Sequence, residues 1–219
     1  MTTPNTPPRK RYGADESMTE WFMQHQRDVA WAVVAIAIIV GGFWYYERSQ
    51  SLKAQRAEAA YFQARQSMVA GNLPLAVSDL KKVAARYEGT NAGTQAALTA
   101  AQALYDQQKY KEGLDVLKAA EAKAPAGFKP SIHVLEAAGH EELNDFVAAA
   151  QQYKLAAQLT PYPADKAEYQ AAAARDYMGA GKLDDARAIW TELAKDETGP
   201  VAAEARVRLG EVDAKPMKI

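Results

Sequence analysis

The sequence predicts an all-α chain: one N-terminal transmembrane helix followed by a helical solenoid of about four helix pairs. Two observations carry this reading. Residues Val29 to Tyr46 read VAWAVVAIAIIVGGFWYY, eighteen residues without a charge in a 219-residue chain that is otherwise water-soluble in composition. Beyond that run the sequence repeats itself, with segments starting at Gly71, Gln108, Asn144 and Gly181. Alanine is frequent there and β-branched runs are absent, which favours closely packed helices.

Residues 1–16, with Pro4, Pro7 and Pro8, have the composition of a disordered tail. Residues 17–28 place Met18, Trp21, Phe22 and His25 on one side of a helix. This fits a helix lying in the membrane interface, and equally an N-terminal extension of the anchor.

The transmembrane helix is assigned to 29–46. At about 1.5 Å per residue such a run crosses a hydrocarbon core. It exceeds the 7–15 apolar residues typical of a signal peptide, 28 residues precede it, and Glu47-Arg48-Ser49-Gln50 offers no A-x-A-like cleavage site. It ends in Phe43-Trp44-Tyr45-Tyr46, an aromatic cluster suited to the headgroup level. Arg9, Lys10, Arg11 and Arg27 on one side balance Arg48, Lys53, Arg56 and Arg65 on the other, so charge counting does not orient the helix. Ala37 and Gly41 form a small-xxx-small pair. It serves a close contact with another membrane helix, or is simply part of a lipid-facing surface.

From Glu47 to Ala70 there is no Gly and no Pro. One nearly continuous helix is therefore expected from Val29 to Ala70, with Gly41-Gly42 its likeliest bend.

The solenoid is assigned to 47–210 and a short C-terminal tail to 211–219. The four repeat segments start 37, 36 and 37 residues apart. Their third positions are Leu73, Tyr110, Phe146 and Leu183; their sixth are Ala76, Gly113, Ala149 and Ala186; their tenth are Leu80, Leu117, Tyr153 and Trp190. Large, small at i+3 and large at i+7 make one helix face, and the small residue admits a neighbouring helix. Each segment is preceded by another helical stretch carrying Ala64, Ala101, Ala137 or Ala174, and followed by punctuation such as Pro125, Pro161 or Gly199-Pro200. Helix, tight turn, helix, loop at this period is a solenoid pattern, in which stacked pairs bury what one pair cannot.

The order small, turn Gly/Asn, aromatic or Leu, Ala, large, Ala, Pro resembles the tetratricopeptide (TPR) repeat over about residues 57–200. The third unit shows it best, with Ala137, Asn144, Phe146, Ala149, Tyr153, Ala156 and Pro161. The fourth has Leu193 where a small residue is usual, the first has Val83 there and lacks the closing proline, and the period is longer than standard. The whole plan resembles the YfgM-type family. Trp21-Phe22 precedes the anchor, Gly41-Gly42-x-Trp44 ends it, and a charged helical run then leads to Ala59-Ala60-Tyr61. That resemblance implies a bitopic bacterial inner-membrane protein with a cytoplasmic N-terminus and a periplasmic TPR domain, associated with the Sec translocon and with periplasmic chaperones.

Composition narrows the chemistry. The net charge is −1, and four of 26 basic and four of 27 acidic residues precede the anchor, leaving 22 against 23 beyond it. Neither half offers the basic field that attracts nucleic acid. There is no cysteine, which excludes disulfides, thiol catalysis and Cys-based metal sites. His25, His133 and His140 lack convergent partners for a metal. Gly179-Ala180-Gly181-Lys182 lacks the Walker spacing and falls at a repeat turn. Asp184-Asp185 sits beside Lys182 and Arg187 on a solvated face. No nucleophile elbow, zincin or dinucleotide motif is present. The expectation is a non-enzymatic chain with no catalytic residues, no cofactor, no metal and no small-molecule substrate.

The TPR resemblance implies a concave surface lined by the first helix of each pair. The matching positions are Tyr61, Arg65 and Met68, then Leu98, Gln102 and Tyr105, then Val134 and Glu141, then Arg175 and Met178. Each either faces a groove or packs on the next pair. The carboxylate-gripping TPR type carries Lys and Asn on such rows. Here Tyr61, Leu98, Val134 and Ala171 occupy one row and Arg65, Gln102, Ala138 and Arg175 the other, so that clamp is not expected. The resemblance therefore implies a scaffold that docks on an integral-membrane complex at the bilayer and meets periplasmic proteins. The alternative is a structural subunit bracing a large respiratory or photosynthetic assembly.

Overall fold

The computed structural model describes Trp21 and residues 23–214. The expected tail over 1–16, most of the 17–28 segment and residues 215–219 lie outside the described residues. Described residues fall into helices and turns with no strand. The chain forms two compact units, residues 1–51 and residues 52–219.

Helix α1, Gln26–Val69, contributes to both units and is unbroken at Gly41 and Gly42. Its first-unit part carries an eighteen-residue window of mean hydropathy 2.0, none of it buried. Ile38 and Ile39 are each 69% exposed, and Phe43, Trp44, Tyr45 and Tyr46 are all open. In this length and composition α1 is a helix able to cross a membrane.

The second unit continues with α2 (Leu73–Arg86), α3 (Asn91–Tyr105), α4 (Tyr110–Glu121), α5 (Lys129–Glu142), α6 (Phe146–Leu159), α7 (Pro163–Gly179), α8 (Leu183–Lys195) and α9 (Ala202–Asp213). A 3-10 turn, Ala126–Phe128, leads into α5. Close packing joins successive helices from α2 through α9, with further contacts between α2 and α4 and between α3 and α5. This is the short-range connectivity of a solenoid.

The expected repeat register holds at every turn inside a pair. Gly71, Gln108, Asn144 and Gly181 all have positive φ, at 78°, 61°, 58° and 71°. Each turn then closes with the amide of the next residue bonding a carbonyl five residues back: Asn72 to Ser67, Lys109 to Leu104, Asp145 to His140 and Lys182 to Tyr177. A left-handed residue with such a bond is a Schellman-type helix stop, which satisfies carbonyls the helix leaves free. Asn72 and Asp145 then cap the following helices through Leu75 N and Ala148 N. Thr90 caps α3 through Gly93 N.

The small residues serve as expected. Ala76, Ala149 and Ala186 are fully buried, as are Ala137 and Ala174 on the first helices. Around them sit clusters built on Leu80 with Ala64, Val83, Ala96 and Ala100, on Leu117 with Ala101, Tyr105, Ala124 and Ile132, and on Trp190 with Ala171, Ala174, Tyr177 and Ala186.

Candidate protein-binding surface

The rows read from the sequence lie on α1 and on α3, α5 and α7, and their members have different fates. Arg65 and Gln102 are exposed, while Tyr61, Met68, Leu98, Val134, Glu141, Arg175 and Met178 are half-buried. The Arg65 guanidinium lies 5.8 Å from the Tyr61 ring centroid, a cation–π distance. The Thr99 hydroxyl donates to Gln95 O, so the Tyr61 hydroxyl donates to Thr99 Oγ1 at 3.1 Å. Gln102 Nε2 donates to Asp106 Oδ1 at 3.2 Å. These side chains offer a stacked cation and amide groups along one set of helices.

Tyr105 belongs to the core. It is 7% exposed and its hydroxyl donates to Leu135 O at 3.1 Å. The reason is space left by two glycines. A Cβ at Gly113 would stand 2.3 Å from Tyr105 Cε1, and one at Gly139 would stand 2.2 Å from the Tyr105 hydroxyl oxygen. Leu98 packs partly against this cluster, as Met68 does against Val77, Ala103 and Leu104. Met178 lines the third cluster and takes the Trp190 indole N–H on its sulfur at 3.4 Å.

Arg175 is drawn toward α9. Its Nη1 reaches both Glu204 oxygens, at 3.0 and 2.9 Å, and its Nη2 reaches Glu168 at 3.2 Å. These charge-assisted bonds raise the guanidinium's pKa although burial opposes it. Glu141 stands against Asp176 and Tyr153. Burial, then the neighbouring Glu141, pushes the Asp176 carboxyl up to about 7. Burial, then Glu141 and Asp176, also raises Tyr153.

The sequence reading missed Asp176, and it took Tyr153 only as a large residue of the repeat face. The only signal for Asp176 was that it lies 35 residues after Glu141, close to one repeat. A second buried polar group surrounds His133, which is 4% exposed. Its Nδ1 lies 2.8 Å from Gln152 Oε1 and 3.2 Å from Glu136 Oε2, and its Nε2 lies 3.5 Å from Glu121. Burial raises Glu136 most, and His133 draws it back down. Among the described residues no group of three or more His, Cys, Asp or Glu is placed to hold a metal. Ala37 and Gly41 lie exposed on α1, and a Cβ at Gly41 would meet nothing within 4 Å.

Comparison with known proteins follows the helices. No curated protein matches the chain. Two crystal structures of a Podosopora anserina protein, described as a kinesin light chain with nearly identical TPR-like repeats, resemble it at a TM-score of 0.53 and 16% identity. They cover 72% of this chain and 84% or 85% of theirs, and they show the fold alone. A TPR protein of Thermus thermophilus, TTC0263, is 25% identical over 86% of this chain and 97% of its own, with a TM-score of 0.46. The family model described as a tetratricopeptide repeat-like domain matches residues 19–130, from ahead of the apolar run to the start of α5. With half of its length matched by that model and its helix pairs repeating at the matching register, the chain belongs to the tetratricopeptide repeat-like domain family.

Proposed function

We propose that the chain is a membrane-anchored, non-enzymatic TPR scaffold. It docks on an integral-membrane protein complex and presents a protein-binding or bracing surface. The observation that carries this reading is the union, in one chain, of a TPR-type repeat domain with an uncharged helical stretch whose side chains lie open. Exposed apolar area costs roughly 25 cal/mol per Å² relative to burial, so such a helix calls for lipid or another protein.

The plan shared with the YfgM-type family supports a bacterial inner-membrane location, with the N-terminus cytoplasmic and the repeats periplasmic. It also supports the role of a translocon-associated chaperone adaptor. Protease added to spheroplasts would then remove the repeat domain; full protection would reverse the orientation.

Purification of the full chain in mild detergent, followed by mass spectrometry, tests the partner. Stoichiometric Sec subunits are the expected result. Pigment-binding or redox subunits would replace the adaptor by a structural subunit of a respiratory or photosynthetic complex. Recovery of the chain from the soluble fraction, without detergent, would remove the membrane part of the proposal.

A further inference from the structure

One kind of contact recurs from pair to pair. A residue near the end of each first helix meets a residue of the next first helix. Met68 packs against the cluster holding Ala103, and Tyr105 fits against Gly139. These are large-on-small contacts, and they pack without polar groups apart from the Tyr105 hydroxyl. The third contact breaks the pattern, because Glu141 meets Asp176. Two carboxyl groups occupy the place where the other junctions bury a side chain against a methyl group or a bare glycine.

Asp176 is 6% exposed, and its Oδ2 is shielded from solvent with no donor. A buried carboxylate oxygen without a donor is costly. The titratable and charged groups facing it are Glu141 from α5, Tyr153 from α6 and Arg175 of its own helix. Arg175 is the nearest cation, yet its guanidinium is committed to Glu204 and Glu168. Glu141 is half-buried and gives the pair an opening on the row of first-helix residues.

We infer that the Glu141–Asp176 pair receives one cationic side chain, a lysine or an arginine, from a partner segment lying along the first helices. This rests on the protein-binding reading of those helices. An ammonium brings three donors and a guanidinium five, enough to satisfy both carboxylates and the orphaned oxygen. A docked cation favours the ionised Asp176 carboxylate, so the proton Asp176 carries is released to solvent on binding and binding tightens as pH rises. The docked charge then replaces the van der Waals contact that fixes the other junctions.

A phage-displayed library of random decapeptides, selected at pH 8 on the full chain in detergent micelles, tests this. The expected result is a lysine or arginine common to the selected peptides. Replacing it by norleucine or citrulline weakens a selected peptide at least tenfold. Asp176→Asn and Glu141→Gln each do the same, and so does a shift from pH 8 to pH 5.5. Both variants keep the size of the native side chain, and their thermal unfolding is measured in parallel. Peptides that share no cation, or that bind both variants as tightly as the native chain, overturn the inference and leave the scaffold reading standing. A library that yields no binder removes both.

Discussion

At the C-terminal end of the repeats, Val201, Ala205 and Leu209 close over Trp190 and Tyr177. At the N-terminal end, α1 and α2 stand around an open cleft of about 640 Å³. Every residue lining that cleft comes from the first pair, with Ala60, Ala64, Ser67 and Ala70 on one wall and Leu75, Asp79, Lys82 and Arg86 on the other. The two helices lack the extended close packing found between later neighbours. Lys53 holds part of this end by donating to Glu88 O at 2.9 Å. A solenoid always leaves one face of its terminal pairs without a neighbour. Here one end covers that face with an extra helix. The other leaves it open, lined by alanines and charged side chains together with Leu75, Val83 and Tyr87.

The largest expected effect tests the covered end. Trp190→Ala removes the largest fully buried side chain among the described residues and should cost roughly 3–5 kcal/mol. Urea unfolding of the full chain in mild detergent, followed by circular dichroism, measures it. A loss below 1 kcal/mol would mean that α9 does not seal the core.

Ala149→Leu comes next. Ala149 is fully buried between α6 and its neighbours, and overpacking such a site costs roughly 1–3 kcal/mol. An unchanged melting temperature would refute the repeat register.

The third prediction concerns pH and the half of the repeats nearer α9. Folded Asp176 holds its proton up to about pH 7, whereas the unfolded carboxyl loses it near its ordinary value of 3.8. The folded state therefore binds more protons between those values, and stability falls as pH rises through that interval, then levels. Glu136, also raised, adds in the same direction. A change on the order of 2 kcal/mol between pH 4 and pH 7.5 is expected, and Asp176→Asn should flatten much of it. A stability rising over this range would contradict the burial of the pair.

Gln108→Gly should stabilise by about 0.5–1 kcal/mol, because a residue with a Cβ pays to sit at positive φ. Thermal unfolding reads this directly.

The smallest effect belongs to the open end. Ser67→Leu adds bulk beside the cleft and should change stability by no more than about 0.5 kcal/mol. A cost like that of Ala149→Leu would show the cleft closed in solution and erase the contrast between the ends.

Much of this architecture was legible in the chain. The spacing of Gly71, Gln108, Asn144 and Gly181 located four turns, since each must stop a helix in the same way. Local rules reach that far because a turn is made by neighbours in sequence. They did not separate Tyr105 from Tyr61, which occupy related rows. What buries Tyr105 is the absence of a Cβ at Gly113 and Gly139, and Gly139 lies a full unit away. The meeting of Glu141 with Asp176 escaped for the same reason, because it depends on how one pair docks on the next. Nor did the sequence distinguish a sealed end from an open one. Ala205 and Ala60 are both alanines in helical runs, and only their neighbours make one core and the other the wall of a cleft.

Trp190 has an optical consequence. It is the only tryptophan beyond the first unit, the other three being Trp21, Trp31 and Trp44. Its indole is wholly shielded, and its N–H rests on a thioether sulfur instead of water. Replacing the three early tryptophans by phenylalanine would leave Trp190, at the sealed end, as the single tryptophan, excited apart from the tyrosines at the red edge of absorption. Its emission should be short in wavelength while α9 is docked and shift to the red when α9 lifts, giving a record of that end that the cleft side cannot contaminate.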